Sequence, residues 1–545
     1  MQENLTEGSR VPISEQTDKK CGTIKAILGF VKEKLLFPFR QDLIYFLLLW
    51  FVIALPCCFM QLKQDCIVYA LYLMMLYYII AYIVTLVFNL NKVIALIVRP
   101  LVFCLLSLFS ILNLFCYDVY GCLLSHDFVQ IIAGTNPNEA KEYFDTFVTW
   151  QQLLLFFVML VVIIAVSVLI AKRRQRKYGK VWIVAVCVLV FSVAGVCHNS
   201  GMIEAELSDK GRWNFAFEEV VDLRNHPTNP QIAEMDSIHP THIIIILGES
   251  FSPNHSSLYG YKKQTNPLLS EKVEDGNLIV FRNATSPCTH TTSAFKYLLN
   301  TCQIGHEDGK QWYEHTNLIE VMNAAEYHTA WISNQSEKGM FDNLPSGHSR
   351  ICKEIFFLEN DDNTSQYDGG LINKVPSNKE KCVTFYHLMG QHESFDQRYP
   401  KEYAHFKANN YADKPEHQRE ILASYDNATL YNDFVVNSII DLYKEKDAIV
   451  FYFSDHALDV FDTEPDYFGH AKMTKASQEH GKKIPLMIYV SSVFQESNAD
   501  KVESMRNAIN KPFCVDKFIY TVMDASGYRF ANNDDVRKYS VLSSK

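Results

Sequence analysis

The chain has 545 residues, a formal net charge of −10 and 14 cysteines. That length calls for more than one domain. The acidic balance argues against a general nucleic-acid binder, so no nucleic-acid partner is expected.

Residues 1–40 are polar and then basic, with Lys19, Lys20, Lys25, Lys32, Lys34 and Arg40. No small-residue cleavage site follows a short apolar core, so this is read as a cytoplasmic segment rather than a removable signal peptide. Five apolar stretches follow, near 43–60, 67–89, 94–116, 150–171 and 181–199. Each is about 18–24 residues, long enough to cross a bilayer as a helix. Core helices of a soluble protein would carry charges on a solvated face. Residues 41–199 are therefore expected to form a transmembrane domain of five helices. Arg99-Pro100 interrupts the third stretch. An ionisable group there can mark function, but a kink with a snorkelling arginine is the preferred account.

Lys172-Arg173-Arg174-Gln175-Arg176-Lys177 and Lys180 form a basic loop, whereas the 117–149 loop carries Asp118, Asp127, Glu139, Glu142 and Asp145. The positive-inside rule puts the N-terminus and the 172–180 loop in the cytoplasm. Five crossings then place everything after about 200 outside. Residues 200–238, with Trp213 to Val221, read as an amphipathic connector able to lie on a membrane surface or on the next domain.

From 239 to 545 the chain reads as a separate α/β domain. Strands are expected at 242–247, 278–282, 328–333, 383–388, 448–453 and 485–490. Helices are expected at 292–300, 317–326, 418–444 and 512–524. That alternation predicts a mainly parallel central sheet covered on both faces. The tail after 526 is polar and carries no signal. Five cysteines lie here, Cys288, Cys302, Cys352, Cys382 and Cys514. In an oxidising compartment Cys288–Cys302 is the favoured pair, and the odd count leaves at least one thiol over.

The organising stretch is His242-Ile243-Ile244-Ile245-Ile246-Leu247-Gly248-Glu249-Ser250. Its apolar run reads as a strand buried on both faces. Gly248 is expected to let the chain turn, leaving Glu249 at the strand end. Ala448-Ile449-Val450-Phe451-Tyr452-Phe453-Ser454-Asp455-His456 ends the same way. In open α/β sheets chemistry collects at the carboxyl ends of strands. Acidic and imidazole groups at one edge suit a divalent cation, zinc above all. A hydroxyl-rich turn, Thr285 to Ser293, precedes a helix, and His392 and His470 follow in Gly390-Gln391-His392 and Gly469-His470. A metal ion lowers the pKa of a coordinated hydroxyl and so makes threonine a usable nucleophile. The N–H groups of a helix N-terminus receive a phosphoryl group. Histidines could hold a second metal, protonate a leaving oxygen or orient phosphate. Taken singly, each residue has a plainer reading as a turn residue, a helix cap or a surface histidine. Their joint placement points to a membrane-anchored, metal-dependent hydrolase or transferase.

Gly248-Glu249-Ser250 with Asn254-His255-Ser256-Ser257-Leu258-Tyr259-Gly260-Tyr261 and Asn266-Pro267 resembles the first motif of the phosphoethanolamine transferases, in the sulfatase-like branch of the alkaline phosphatase superfamily. Thr135-Asn136-Pro137-Asn138-Glu139-Ala140, Tyr425-Asp426-Asn427, Tyr431-Asn432-Asp433 and Ser454-Asp455-His456 extend the resemblance over nearly the whole chain. It implies zinc, one ion held tightly and room for a second, with Glu249, Asp455, His456 and a nucleophilic threonine as ligands. That threonine falls on Thr291, with Thr289 as the alternative. His392 and His470 match residues that contact phosphate or a second metal, with His480 the weaker competitor to His470. Asn254 and His255 belong to the same substrate or second-metal group. The family usually continues Ser-Asp-His-Gly-Glu; Ala457-Leu458 stands here, so hydrogen bonds around the ligands are expected to differ. A true sulfatase needs Cys-x-Pro-x-Arg or its serine counterpart, and Cys288-Thr289-His290-Thr291-Thr292 lacks the proline and arginine.

The resemblance implies a multi-pass protein of the bacterial inner membrane with a periplasmic catalytic domain, acting as a monomer. Phosphatidylethanolamine would be the donor, and lipid A or a lipopolysaccharide-core group the acceptor. Polymyxin resistance is the corresponding phenotype. A phosphoglycerol transferase of the same fold and an inactive envelope scaffold are the alternatives.

Overall fold

In the computed structural model the described residues are 225–542, apart from 237–238, 307, 338–343, 359–366, 378–379, 471, 473 and 533–534, together with scattered positions between Lys25 and Leu223. The chain divides into two compact units, Met1–Val119 with Thr149–Gly211, and Tyr120–Val148 with Arg212–Lys545. Most of the five apolar stretches, Arg99-Pro100, the 172–180 loop, residues 135–139 and the connector up to 222 lie outside the described residues. Among the described residues no helix is long and apolar enough to cross a membrane. The described positions of 97–116 are helical. There Ile97, Leu101, Leu105, Leu108 and Leu112 are exposed, while Phe103 and Ser107 are buried. The spacing puts the five exposed side chains on one helix face.

The second unit is built on a seven-stranded sheet. Its strands are β1 (His242–Gly248), β2 (Leu278–Phe281), β3 (His328–Ser333), β4 (Glu354–Phe357), β5 (Cys382–His387), β6 (Ala448–Ser454) and β7 (Leu486–Val490). They lie in the order β2-β7-β6-β1-β5-β3-β4. β7 runs antiparallel to both its neighbours, and the remaining pairs are parallel. The sheet is therefore mixed, with one strand against the grain. All six expected strands are present. β4 was missed because Glu354-Ile355-Phe356-Phe357 is a short edge strand with only partial burial.

β1 sits at the centre, and its side chains feed two cores. Ile243, Ile245 and Leu247 pack on one face with helices α2 (Thr291–Leu298), α3 (Leu318–Ala324) and α6 (Phe518–Ser526). Ile244 and Ile246 pack on the other with α1 (Pro267–Glu274) and α4 (Glu416–Asp441). The alternation is the period-two geometry of a strand, and burial on both sides explains the unbroken isoleucine run. Each fully buried isoleucine contributes about 1.5–3 kcal/mol. Helix α5 (Lys475–Lys482) was not expected; its sequence is polar, and only Ser477, His480 and Gly481 are buried.

The tail is more structured than its polarity suggests. Tyr528–Phe530 pairs antiparallel with Ile232–Glu234, and Val536, Val541 and Leu542 are buried. Cys302 is a free thiol, so the expected Cys288–Cys302 disulfide is not formed. Ile245→Ala, at the centre of β1, is expected to destabilise this unit by about 2–5 kcal/mol. The check is the denaturant midpoint of its unfolding transition, with the slope unchanged.

Candidate metal centre

The register of β1 against β6 sets the site. Gly248 pairs with Ser454 at the carboxyl ends of the two strands, so Glu249 and Asp455 emerge side by side. Glu249, Asp455 and His456 are all buried, and one ligand atom from each lies within 4.8 Å of the others. His456 Nε2 is 3.1 Å from Glu249 Oε1 and 3.6 Å from Asp455 Oδ2. Thr291, the first residue of α2, donates its hydroxyl to Glu249 Oε2 at 3.1 Å and lies 3.3 Å from His456 Nε2. Thr289 is buried instead, with its hydroxyl 3.1 Å from His290 Nδ1.

The donor set fits a divalent cation. Asp455 Oδ2 is buried and has no hydrogen-bond partner. An orphan carboxylate oxygen is costly in a folded interior unless a cation satisfies it. Electrostatics agrees. Burial opposes charge at His456, yet the Asp455 and Glu249 carboxylates outweigh it and push the imidazolium up to about 10. Burial and the charge of Glu249 push Asp455 upward. Glu249 is held well below the usual carboxylate range because His456 overcomes its burial. In the metal-free protein one proton on His456 stands in for the cation.

Several residues hold Glu249 in place. The turn is made by Ser250, at φ 58°, and not by Gly248 as expected. That left-handed backbone is uncommon for a serine, and the Ser250 hydroxyl donates to Glu249 Oε1 at 2.7 Å. Gly248 is needed for a different reason: a Cβ there would lie 2.5 Å from Tyr452 Oη. Gly390, at φ 52°, lies against the Glu249 backbone, and a Cβ would meet its carbonyl oxygen at 2.8 Å. The buried Asp368 carboxylate accepts the Met389 and Gly390 N–H groups at 2.8 and 2.9 Å. Gln335 Nε2 donates to Glu249 Oε2 at 3.1 Å and to the Leu388 carbonyl at 3.0 Å.

A histidine group adjoins the cluster. The His470 ring is 4.6 Å from that of His456 and 4.9 Å from that of His290. Glu393 lies between His470, at 3.3 Å, and His392, at 3.7 Å. Burial opposes its charge, but His470 and His392 hold the carboxyl well below its usual range. Burial, then His470 and His456, keeps His290 neutral. Three remaining sequence candidates, Asn254, His255 and His480, lie apart from these groups, with His480 Nε2 against Asp462 and the Leu458 carbonyl. Asn254 is exposed. His255 is buried, with Nδ1 2.8 Å from Asp426 Oδ1 and Nε2 facing Asp462 rather than Glu249. Gln335, Asp368, Glu393 and His290 were missed. Gln335 and Glu393 follow the carboxyl ends of β3 and β5, so the rule that found Glu249 applies to both.

Helix α4 supplies the polar scaffold. Tyr425 Oη donates to the Ser250 carbonyl at 2.7 Å and accepts the Ser252 N–H at 2.8 Å. Asn432 accepts from Tyr452 Oη at 3.1 Å. Asp433 accepts the Leu268 and Leu269 N–H groups in the first turn of α1, at 2.9 and 3.0 Å. The Ala457-Leu458 departure is absorbed by packing. Ala457 N–H donates to the Gly481 carbonyl at 2.8 Å, and Leu458 joins a small core with Phe395 and Tyr425.

Metal ligands bind deprotonated, so protons compete with the ion. With His456 and Asp455 both pushed upward, the affinity for zinc is expected to rise about tenfold or more per unit between about pH 6 and pH 9, with proton release on binding. Calorimetry in buffers of different ionisation enthalpy checks both; a flat profile contradicts this account.

The family model "Sulfatase" matches residues 241–528, and the model "Phosphoethanolamine transferase EptA/EptB" matches residues 79–205. The chain is 24% identical over 465 residues to phosphoethanolamine transferase EptC of Escherichia coli O18:K1:H7, covering 77% of this chain and 78% of that protein. It is 24% identical to the Kdo(2)-lipid A phosphoethanolamine 7''-transferase of Escherichia coli K12, over 57% of this chain and 55% of that one. The C-terminal periplasmic domain of Escherichia coli EptC, solved in complex with Zn, superposes with a TM-score of 0.51 at 25% identity, covering 58% of this chain and 90% of that one. The integral membrane protein EptA of Neisseria meningitidis shares the fold, with a TM-score of 0.60 at 14% identity over 93% of this chain and 97% of that one. With the sulfatase model spanning more than half its length and the transferase model matching ahead of it, the chain belongs to the sulfatase family, among the phosphoethanolamine transferases.

Proposed function

We propose that the protein transfers phosphoethanolamine from phosphatidylethanolamine to a lipid A or lipopolysaccharide-core acceptor, in two steps through Thr291. The observation that carries this reading is the Thr291 hydroxyl, half-buried at the start of α2 and within hydrogen-bond reach of both Glu249 and His456. Glu249, Asp455, His456 and Thr291 would hold zinc. The bound ion would make the hydroxyl more acidic and offset charge on the phosphoryl oxygens.

In the first step Thr291 Oγ1 attacks phosphorus, the bond to the glyceryl oxygen breaks, and diacylglycerol leaves. Glu249 Oε2 is the nearest acceptor for the hydroxyl proton. The N–H groups in the first turn of α2 would receive the phosphoryl oxygens, a role suited to a helix N-terminus. His470 and His392, paired through Glu393, would donate a proton to the departing oxygen. In the second step an acceptor hydroxyl or phosphate oxygen attacks the same phosphorus and frees Thr291, with the histidines now accepting the proton.

A membrane-bound donor fits the exposed apolar face of Ile97, Leu101, Leu105, Leu108 and Leu112. We assign residues 1–40 to a cytoplasmic segment, 41–199 to a five-helix transmembrane domain, 200–238 to the connector and 239–545 to a periplasmic catalytic domain.

Thr291→Ala is expected to abolish transfer without loss of expression. With acceptor withheld, wild-type protein should carry phosphoethanolamine on the peptide containing Thr291. Mass spectrometry of envelope lipids, with and without the gene, reads the donor. A gain of glycerol phosphate in place of ethanolamine phosphate, or full transfer by Thr291→Ala, refutes the reading.

A further inference from the structure

We propose that the protein carries a second metal site, for a first-row divalent ion, built from His255, Asp462 and His480. It shares no ligand with the Glu249 cluster and does not depend on the identity of donor or acceptor.

His255 is arranged as a metal-binding imidazole. Its side chain is 5% exposed, and its Nδ1 meets Asp426 Oδ1 at 2.8 Å. Asp426 also accepts hydrogen bonds from Tyr261 and Tyr411. A carboxylate in that role only accepts, so Nδ1 carries the proton. Nε2 is left facing Asp462 Oδ2 at 3.7 Å, too far for a hydrogen bond. A carboxylate that fixes one ring nitrogen and frees the other is the usual support of a histidine ligand.

His480 reaches the same point from α5. Its Nε2 lies 3.4 Å from Asp462 Oδ2, 3.4 Å from Ser252 Oγ and 3.2 Å from the Leu458 carbonyl. Three oxygens crowd one ring nitrogen, which can serve only one of them well with a single proton. A cation among them satisfies all three. Asp459, Asp462 and His480 each offer a ligand atom, and these lie within 4.8 Å of one another. Asp459 Oδ1 already accepts the Asp462 and Thr463 N–H groups at 2.9 and 3.2 Å, so it shapes the turn that aims Asp462. Two imidazole nitrogens with a carboxylate oxygen suit zinc and its neighbours in the first transition row. The Asp462 side chain is 19% exposed, which leaves a way in from solvent.

The site also bears on the first one. Asp459 pairs with Gly469 in a short hairpin that ends at His470. An ion held by Asp462 fixes one arm of that hairpin and so steadies His470 over His456.

The test uses the full chain in detergent, stripped with chelator, reloaded with zinc and assayed for metal per chain. Asp462→Asn and His480→Gln are each expected to hold one zinc fewer than wild type while keeping the ion at the Glu249 cluster. Glu249→Gln is expected to lose the other ion and keep this one until Asp462→Asn is added. Equal zinc in wild type and both variants overturns the proposal, because the three side chains are then a plain hydrogen-bonded network. Loss of all zinc in both variants overturns it too, since no separate site then exists.

Discussion

Two carboxylates leave adjacent strands at the same level and meet out of water. Unit charges about 4 Å apart repel by about 4 kcal/mol at an effective dielectric of 20. The register of β1 on β6 forces Glu249 and Asp455 into that position, and neither side chain has solvent to escape to. The fold tolerates this only with positive charge between them. His456 supplies it through a proton, and a divalent ion would supply it better. The position of Thr291, the pairing of the neighbouring histidines with Glu393 and the strain at Ser250 all make sense around that demand.

The surroundings show how the constraint is met. Ser250 holds an uncommon backbone conformation, which persists only where neighbours over-determine it. Here they do: its hydroxyl, carbonyl and N–H are all engaged, by Glu249, Tyr425 and Asp455. Gly390 closes the opposite side because no larger residue fits against the Glu249 backbone. Asp368 anchors that glycine from beneath. The buried polar residues of α4 run through the same network, so a helix rich in Tyr, Asn and Asp sits stably inside the domain.

Much of this was legible in the chain. The isoleucine run of β1 and the aromatic run of β6 could only be doubly buried strands, and their last residues had to fall at one edge. That geometry made Glu249, Asp455 and His456 candidates, and the family resemblance joined them into one ligand set. Thr291 needed the start of α2, which a hydroxyl-rich turn marks only loosely. Other features were illegible for physical reasons. Gln335 and Asp368 act through contacts made only when β3 and β5 are neighbours, which no local pattern encodes. The sharp turn was expected at Gly248, because glycine is the usual residue there; the strain was carried by Ser250 instead. α5 has a helix cap at Thr474 but little apolar periodicity, so His480, named only as a competitor to His470, could not be placed on a helix.

The ribbon between Ile232–Glu234 and Tyr528–Phe530 has a consequence for biogenesis. Its two strands are separated by about 300 residues of chain. Pairings of such long range come late, since the loop between them must close first. If the polypeptide is exported from its N-terminus onward, the strand in the connector has no partner until almost the whole of the following domain has emerged. A truncation near the C-terminus would therefore leave the end of the connector unpaired, far away in sequence from the break.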